Sequence, residues 1–153
     1  MVRCFLVLWF VCQPLYAAVP LRVVTELSPP HQTLVNGEVA GLSTILVQQI
    51  LREAGLTARI EIFPWARAFR LASSQPNTLI YNMARTAQRE SHFHWIGTVA
   101  SYQLGFVALA HRQDITINSL QDARPYSIAI QRDDLSANFL QQHGFVVGTE
   151  LVV

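Results

Sequence analysis

The chain has 153 residues, with 11 arginines, no lysine and 10 acidic side chains. That length fits about one ordinary domain, and the near-neutral balance leaves no electrostatic footprint for nucleic acid or an anionic membrane surface. The absence of lysine excludes a lysine Schiff base and a lysine-bearing phosphate loop.

The first stretch, MVRCFLVLWFVCQPLYAA, has one early charge, Arg3, then an uninterrupted apolar run from Cys4 to Cys12, then a proline and small residues. This is the order of a secretory signal peptide, and the run is too short for a membrane span. Residues 1–18 are therefore expected to be a leader, cleaved after Ala17 or Ala18, and the rest of the chain is expected to be exported. Both cysteines, Cys4 and Cys12, fall in that segment. The exported chain would then hold neither a disulfide nor a cysteine nucleophile.

LRVVTEL (21–27) is a β-rich run closed by Ser28-Pro29-Pro30, and it predicts a strand that ends in a rigid loop. NGEVAG (36–41) carries the Asn-Gly signal of a tight turn. After Gly41 the residues Leu42, Ile45, Leu46, Ile50 and Leu51 fall on one helical stripe, with Ser43 or Thr44 as the expected cap and Gly55 as the stop. ARIEIF (58–63) alternates as a strand ended by Pro64. WARAFRLASS (65–74) reads as a helix, and TLIYNM (78–83) as a strand.

The resulting β-α-β-α-β order with short connections predicts an α/β fold, a parallel sheet flanked by helices. Ligands of such sheets meet the loops at the carboxyl ends of the strands. Those ends carry Glu26 to His31, Pro64 to Arg67 and Asn82 to Arg89.

Further on, YQLGFVALAHR (102–112) is a long apolar run able to cross between lobes, and ITINSLQDARP (115–125) predicts a short capped turn of helix. YSIAIQ (126–131) reads as a strand. DDLSANFLQQHG (133–144) reads as a helix, with Asp133 or Asp134 at its start and Gly144 past its end. FVVGTELVV then opens further apolar strands, so an unfinished second lobe is expected. The divisions are a leader at 1–18, a first lobe at 19–107 and a partial second lobe at 108–153. On that reading the 153-residue product alone binds weakly or aggregates, because sheet surface stays uncovered.

Thr86-Ala87-Gln88-Arg89, followed by Phe93, resembles the Thr-x-x-Arg motif of the bacterial extracellular solute-binding proteins that serve polar amino-acid ABC transporters. Supporting matches are the Pro29-Pro30 loop, Gly37 followed by Gly41-Leu42, Pro64-Trp65-Ala66-Arg67, and Gln131-Arg132-Asp133-Asp134 ahead of Leu140 and Gly144. The resemblance runs from about Leu21 to the end. It implies the periplasmic-binding-protein type II fold, two lobes around a cleft. It also implies a monomeric receptor that captures a small-molecule ligand, an amino acid or organic acid, for an ABC permease in the inner membrane.

By the same resemblance Arg89 grips a ligand carboxylate, with Thr86, Asn82 and Ala84 beside it. The chemistry suits the role, because a guanidinium presents parallel donors to both carboxylate oxygens. Arg85 either reaches the same anion or pairs with Glu90. Trp65 either covers an apolar or cationic part of the ligand or packs in the core. Glu26 either accepts a ligand ammonium or is a loop charge. Ser43-Thr44 replaces the acidic residue that many relatives carry on the first helix.

No catalytic residue, cofactor or metal is expected. Gly-x-Ser-x-Gly, His-Glu-x-x-His and glycine-rich phosphate motifs are absent from the sequence. His92 and His94, around Phe93, read as surface histidines. Two other functions share the scaffold. One is an enzyme of dehydratase or lytic transglycosylase type, which needs an acid or base near the anion grip. The other is the extracytoplasmic sensor domain of a signalling receptor.

Overall fold

A computed structural model describes residues 20–153; the expected leader lies outside them. The elements are β1 (Arg22–Thr25), β2 (Thr33–Val35), β3 (Glu38–Ala40), α1 (Leu42–Glu53), β4 (Arg59–Ile62), α2 (Trp65–Ser74), β5 (Thr78–Ile80), α3 (Ala87–Glu90), a 3-10 turn (Gln121–Ala123), β6 (Ile128–Ala129), α4 (Leu135–Gln142) and β7 (Leu151–Val152). The protein is α/β, as its sequence predicts. β1 lies between β4 and β5, parallel to both, with Val23 opposite Ile60 and Leu79.

A central parallel strand is covered on both faces, so it needs apolar residues at successive positions. Val23 and Val24 supply them and are fully buried. Val23 packs with Val47 and Leu51 of α1 and with Tyr81, forming the first core. A second core gathers Ala123, Leu140, Phe145 and Leu151 around the parallel pair β6–β7. Two separate cores give the chain two lobes.

The start of α1 departs from the sequence expectation. Neither Ser43 nor Thr44 caps it; Gly41 is the N-cap, with φ 109°. The amides of Leu42 and Ser43 donate to the carbonyls of Pro30 and His31, so the preceding loop satisfies the helix end. That loop comes so close that a Cβ on Gly41 would lie 2.5 Å from the His31 oxygen. At the other end the amide of Gly55 bonds the Arg52 carbonyl and that of Leu56 bonds Leu51. This is the left-handed glycine stop the sequence predicts, with Gly55 at φ 66°.

The buried face of α1 is also a correction. Ser43, Thr44, Val47 and Leu51 point inward, whereas Leu42 is 62% and Ile45 58% exposed, and Leu46 and Ile50 are exposed too. The reason is polar. The Thr44 hydroxyl lies 2.8 Å from both the Ala40 carbonyl and the Tyr81 hydroxyl, and Ser43 meets the groups at the strand ends. The helix is rotated by this network at its N-terminal half, and Val47 and Leu51 are left to pack on the sheet.

α2 spans the predicted residues and α4 nearly so, from Leu135 to Gln142. In α4 the Asp134 carboxylate accepts from the Ser136 amide and hydroxyl. The predicted turn of helix around 115–125 is present as the 3-10 turn, and Asp122 within it accepts the amides of Asn118 and Ser119, which precede the turn, on its carboxylate. The apolar run 102–112 joins no sheet among the described residues, and its side chains are exposed, Val107 to 95%.

Candidate functional site

The carboxyl ends of β1, β4 and β5 turn into the three segments that the sequence singles out, and they converge on one side of the first lobe. Pro64 ends β4 and serves as N-cap of α2, which places Trp65 in the first turn of that helix. Trp65 is only 3% exposed, and its indole Nε1 donates to the Asp133 carbonyl at 2.9 Å. One helical turn on, Phe69 stacks against it at 5.7 Å.

These two rings cradle the Arg89 guanidinium, whose central carbon lies 5.4 Å from the Trp65 ring and 5.1 Å from that of Phe69. Arg89 belongs to the single turn α3 and is 7% exposed. Its Nη1 donates to the Ala84 carbonyl and its Nη2 to the Asp133 carbonyl, each at 3.2 Å. No carboxylate of the described residues forms an ion pair with it. Burial pulls its pKa below the ordinary arginine value, and the charge of Asp134 partly offsets this. The arrangement is a desolvated cation held by two neutral carbonyls, which leaves its charge uncompensated at close range.

Thr86 is the N-cap of α3, with extended backbone, yet its hydroxyl makes no capping bond and Oγ1 is buried without a partner. Ala84 contributes backbone alone, and its carbonyl is turned to Arg89. Asn82 sits in the left-handed region at φ 57°. Its amide nitrogen lies 3.0 Å from Ser43 Oγ and 3.0 Å from the Tyr102 hydroxyl, while its Oδ1 is buried and unpartnered. Two buried acceptor oxygens without donors, Asn82 Oδ1 and Thr86 Oγ1, therefore belong to the segment that carries Arg89.

Glu26 stands at the end of β1, where its Oε2 accepts from Gln131 Nε2 at 2.8 Å. Burial raises its pKa above the ordinary value and Asp134 adds to the rise, while the Gln131 bond opposes it. It borders a hollow of about 260 Å³ whose other walls are Leu27, Ile62, Phe63, Pro64, Trp65 and Gln131. Arg89 is not one of its walls, whereas Trp65, whose ring lies against Arg89, is.

Arg85 lies apart from this group. Its Nε and Nη2 donate to the two oxygens of the Glu90 carboxylate on an exposed surface, and its guanidinium lies 5.4 Å from the Trp95 ring. Among the described residues no three His, Cys, Asp or Glu side chains gather closely enough to hold a metal ion.

Sequence reasoning omitted several members of the site. Gln131 and Asp133 reach across from the second lobe, the latter through its backbone at φ 59°. His31 Nδ1 lies 3.2 Å from Ser43 Oγ, and its ring meets Tyr102 edge-on at 5.1 Å. Ser43 and Thr44 carried a signal: two small hydroxyl residues stand where an amphipathic helix would carry apolar ones. Asp133 carried none, because its role is played by a carbonyl that every residue has.

No protein-family model matches the chain, and no curated protein matches it. Solved structures do. A histidine kinase sensor domain similar to periplasmic binding proteins aligns with 87% of this chain at a TM-score of 0.66 and 21% identity. An ancestral arginine-binding protein, solved with glutamine and with arginine, aligns over the same share at a TM-score of 0.63, with 17% and 16% identity. The chain covers 57% of the sensor domain and 59% of the arginine-binding protein. The fold is thus that of the periplasmic binding proteins.

Proposed function

We propose that this chain is a binding module for a small solute bearing a carboxylate, with an amino acid as the favoured class. The observation that carries the reading is Arg89, a buried guanidinium on the turn that follows the carboxyl end of β5, flanked by aromatic rings and without a carboxylate of its own. A ligand carboxylate supplies the missing charge, in a setting where low dielectric strengthens the attraction. Glu26 is the complementary group for a ligand ammonium, and the buried Asn82 and Thr86 oxygens are further acceptors for donors on the solute. The neighbours' ligands, glutamine and arginine, fall in the same chemical class.

The wider role that suits this chemistry is capture of the solute in the periplasm and its presentation to an ABC permease. A specific observation favours a second reading, sensing: the neighbour with a TM-score of 0.66 is a histidine kinase sensor domain. In both roles the chain binds a solute and does not convert it.

Calorimetry with L-glutamine, L-arginine and succinate tests the core of the proposal. A charge-assisted pair contributes roughly 1.5–3 kcal/mol, so Arg89→Ala is expected to weaken binding about ten- to a hundredfold. Equal affinity of wild type and variant would remove Arg89 from the site. Turnover of a prephenate-like acid or of cell-wall fragments would replace binding with catalysis.

A further inference from the structure

In this structure the charged groups of the site are already met by the protein itself, and both partners come from one loop. The loop runs from Gln131 to Asp134, between β6 and α4 of the second lobe. It offers an acceptor to the cation, since the Asp133 carbonyl bonds Arg89 Nη2 at 3.2 Å and Trp65 Nε1 at 2.9 Å. It offers a donor to the anion, since Gln131 Nε2 bonds Glu26 Oε2 at 2.8 Å. An acceptor for Arg89 and a donor for Glu26 are the polarity pattern that the carboxylate and ammonium of an amino acid would present.

The loop also stands in the way. Arg89 is 7% exposed, and the hollow beside Glu26 does not reach it. The rings of Trp65 and Phe69 flank the guanidinium from its own lobe, and Ala84 lies in its own segment; Asp133 is its only hydrogen-bond partner from the other lobe among the described residues. A solute reaches Arg89 when that carbonyl withdraws. The turn that aims it has Asp133 at φ 59°, a conformation most side chains avoid and aspartate tolerates better than most.

We propose that the Gln131–Asp134 loop is an internal occupant of the site, a self-made stand-in for the solute that must be displaced before binding. This rests on the reading of Arg89 as an anion grip. Occupancy by the loop lowers the apparent affinity by the fraction of molecules in which the site is free. The loop thereby sets the solute concentration at which the module responds. The opposite arrangement is a latch, in which the same bonds persist over a bound solute and tighten its hold.

Two measurements on the full chain separate these. The first is the affinity of wild type and Gln131→Ala for L-glutamine and L-arginine. Removal of one neutral-to-charged hydrogen bond from the occupied form is expected to tighten binding by about three- to tenfold. The second is hydrogen exchange at the Trp65 indole N–H, followed by NMR and assigned with Trp65→Phe. Without solute the indole is expected to be protected in wild type and to exchange faster in Gln131→Ala. At saturating solute, protection is expected to fall in wild type.

Weaker binding by Gln131→Ala, or stronger indole protection with solute, overturns the proposal in favour of a latch. Faster exchange in Gln131→Ala, with neither amino acid bound by any variant, overturns the anion-grip reading and with it the guarding role. An indole that exchanges freely in unliganded wild type removes the loop contact itself.

Discussion

Arg85 and Arg89 are four residues apart, and burial separates their roles. Arg85 is spent on Glu90 at an exposed site, where an ion pair adds little to stability because water screens it. Arg85→Ala is therefore expected to leave both the thermal midpoint and solute affinity unchanged, as read by calorimetry, in contrast to Arg89→Ala. Glu26 gives a prediction of its own. Its folded pKa lies above the ordinary 4.5, because burial disfavours the charged form. The unfolded chain then releases this proton first, so folded stability falls as pH rises from about that value through the raised folded one. Glu26→Gln is expected to flatten this decline and to raise the thermal midpoint at neutral pH relative to wild type. A parallel decline in both proteins would remove Glu26 as its source.

At the scale of single elements, the entry to α1 and its exit use glycine for different reasons. Gly41 combines a φ of 109° with backbone atoms 2.5–2.8 Å from where a Cβ would stand. Gly55 has a positive φ and open space around it. Gly55→Ala is expected to cost about 1 kcal/mol in urea unfolding. Gly41→Ala combines a strained backbone, itself about 1–3 kcal/mol, with a clash against backbone that cannot move aside cheaply. Similar losses at the two positions would disprove the close approach of the Pro30–His31 loop. Gly55 was legible in the sequence as a helix stop, because the stop is a local property of the chain. The N-cap was not. Ser43 and Thr44 are good capping residues, yet here the loop carbonyls take the helix amides and the hydroxyls turn to Tyr81, His31 and Asn82. A cap competes with tertiary partners that no short window of sequence contains.

At the scale of the whole molecule, the outer face of α1 and the run from Tyr102 to Leu109 are apolar surfaces left open among the described residues, as are Val146, Val147, Val152 and Val153. Exposed apolar patches of this kind favour association. Sedimentation is expected to show concentration-dependent self-association, and Val107→Lys, at a side chain that packs on nothing, is expected to shift its onset to higher concentration without changing the melt. Unaltered association would place the contact elsewhere, on the α1 face or on the exposed valines around β7.

The β-α-β-α-β order, the parallel sheet, the extent of α2 and the helix stops followed from local chemistry: alternation, proline and glycine placement, and short connections. The same chemistry placed Arg89, Trp65 and Glu26 at the ends of strands, where a ligand would meet them. Tertiary structure decided which face of α1 is buried, that Arg85 is tied to Glu90 while Arg89 is buried without a counter-charge, and that a loop of the second lobe lies over the cation. Those outcomes turn on which groups meet across the fold. A backbone carbonyl or an amide from another lobe is invisible in the residue letters until the chain has brought it near.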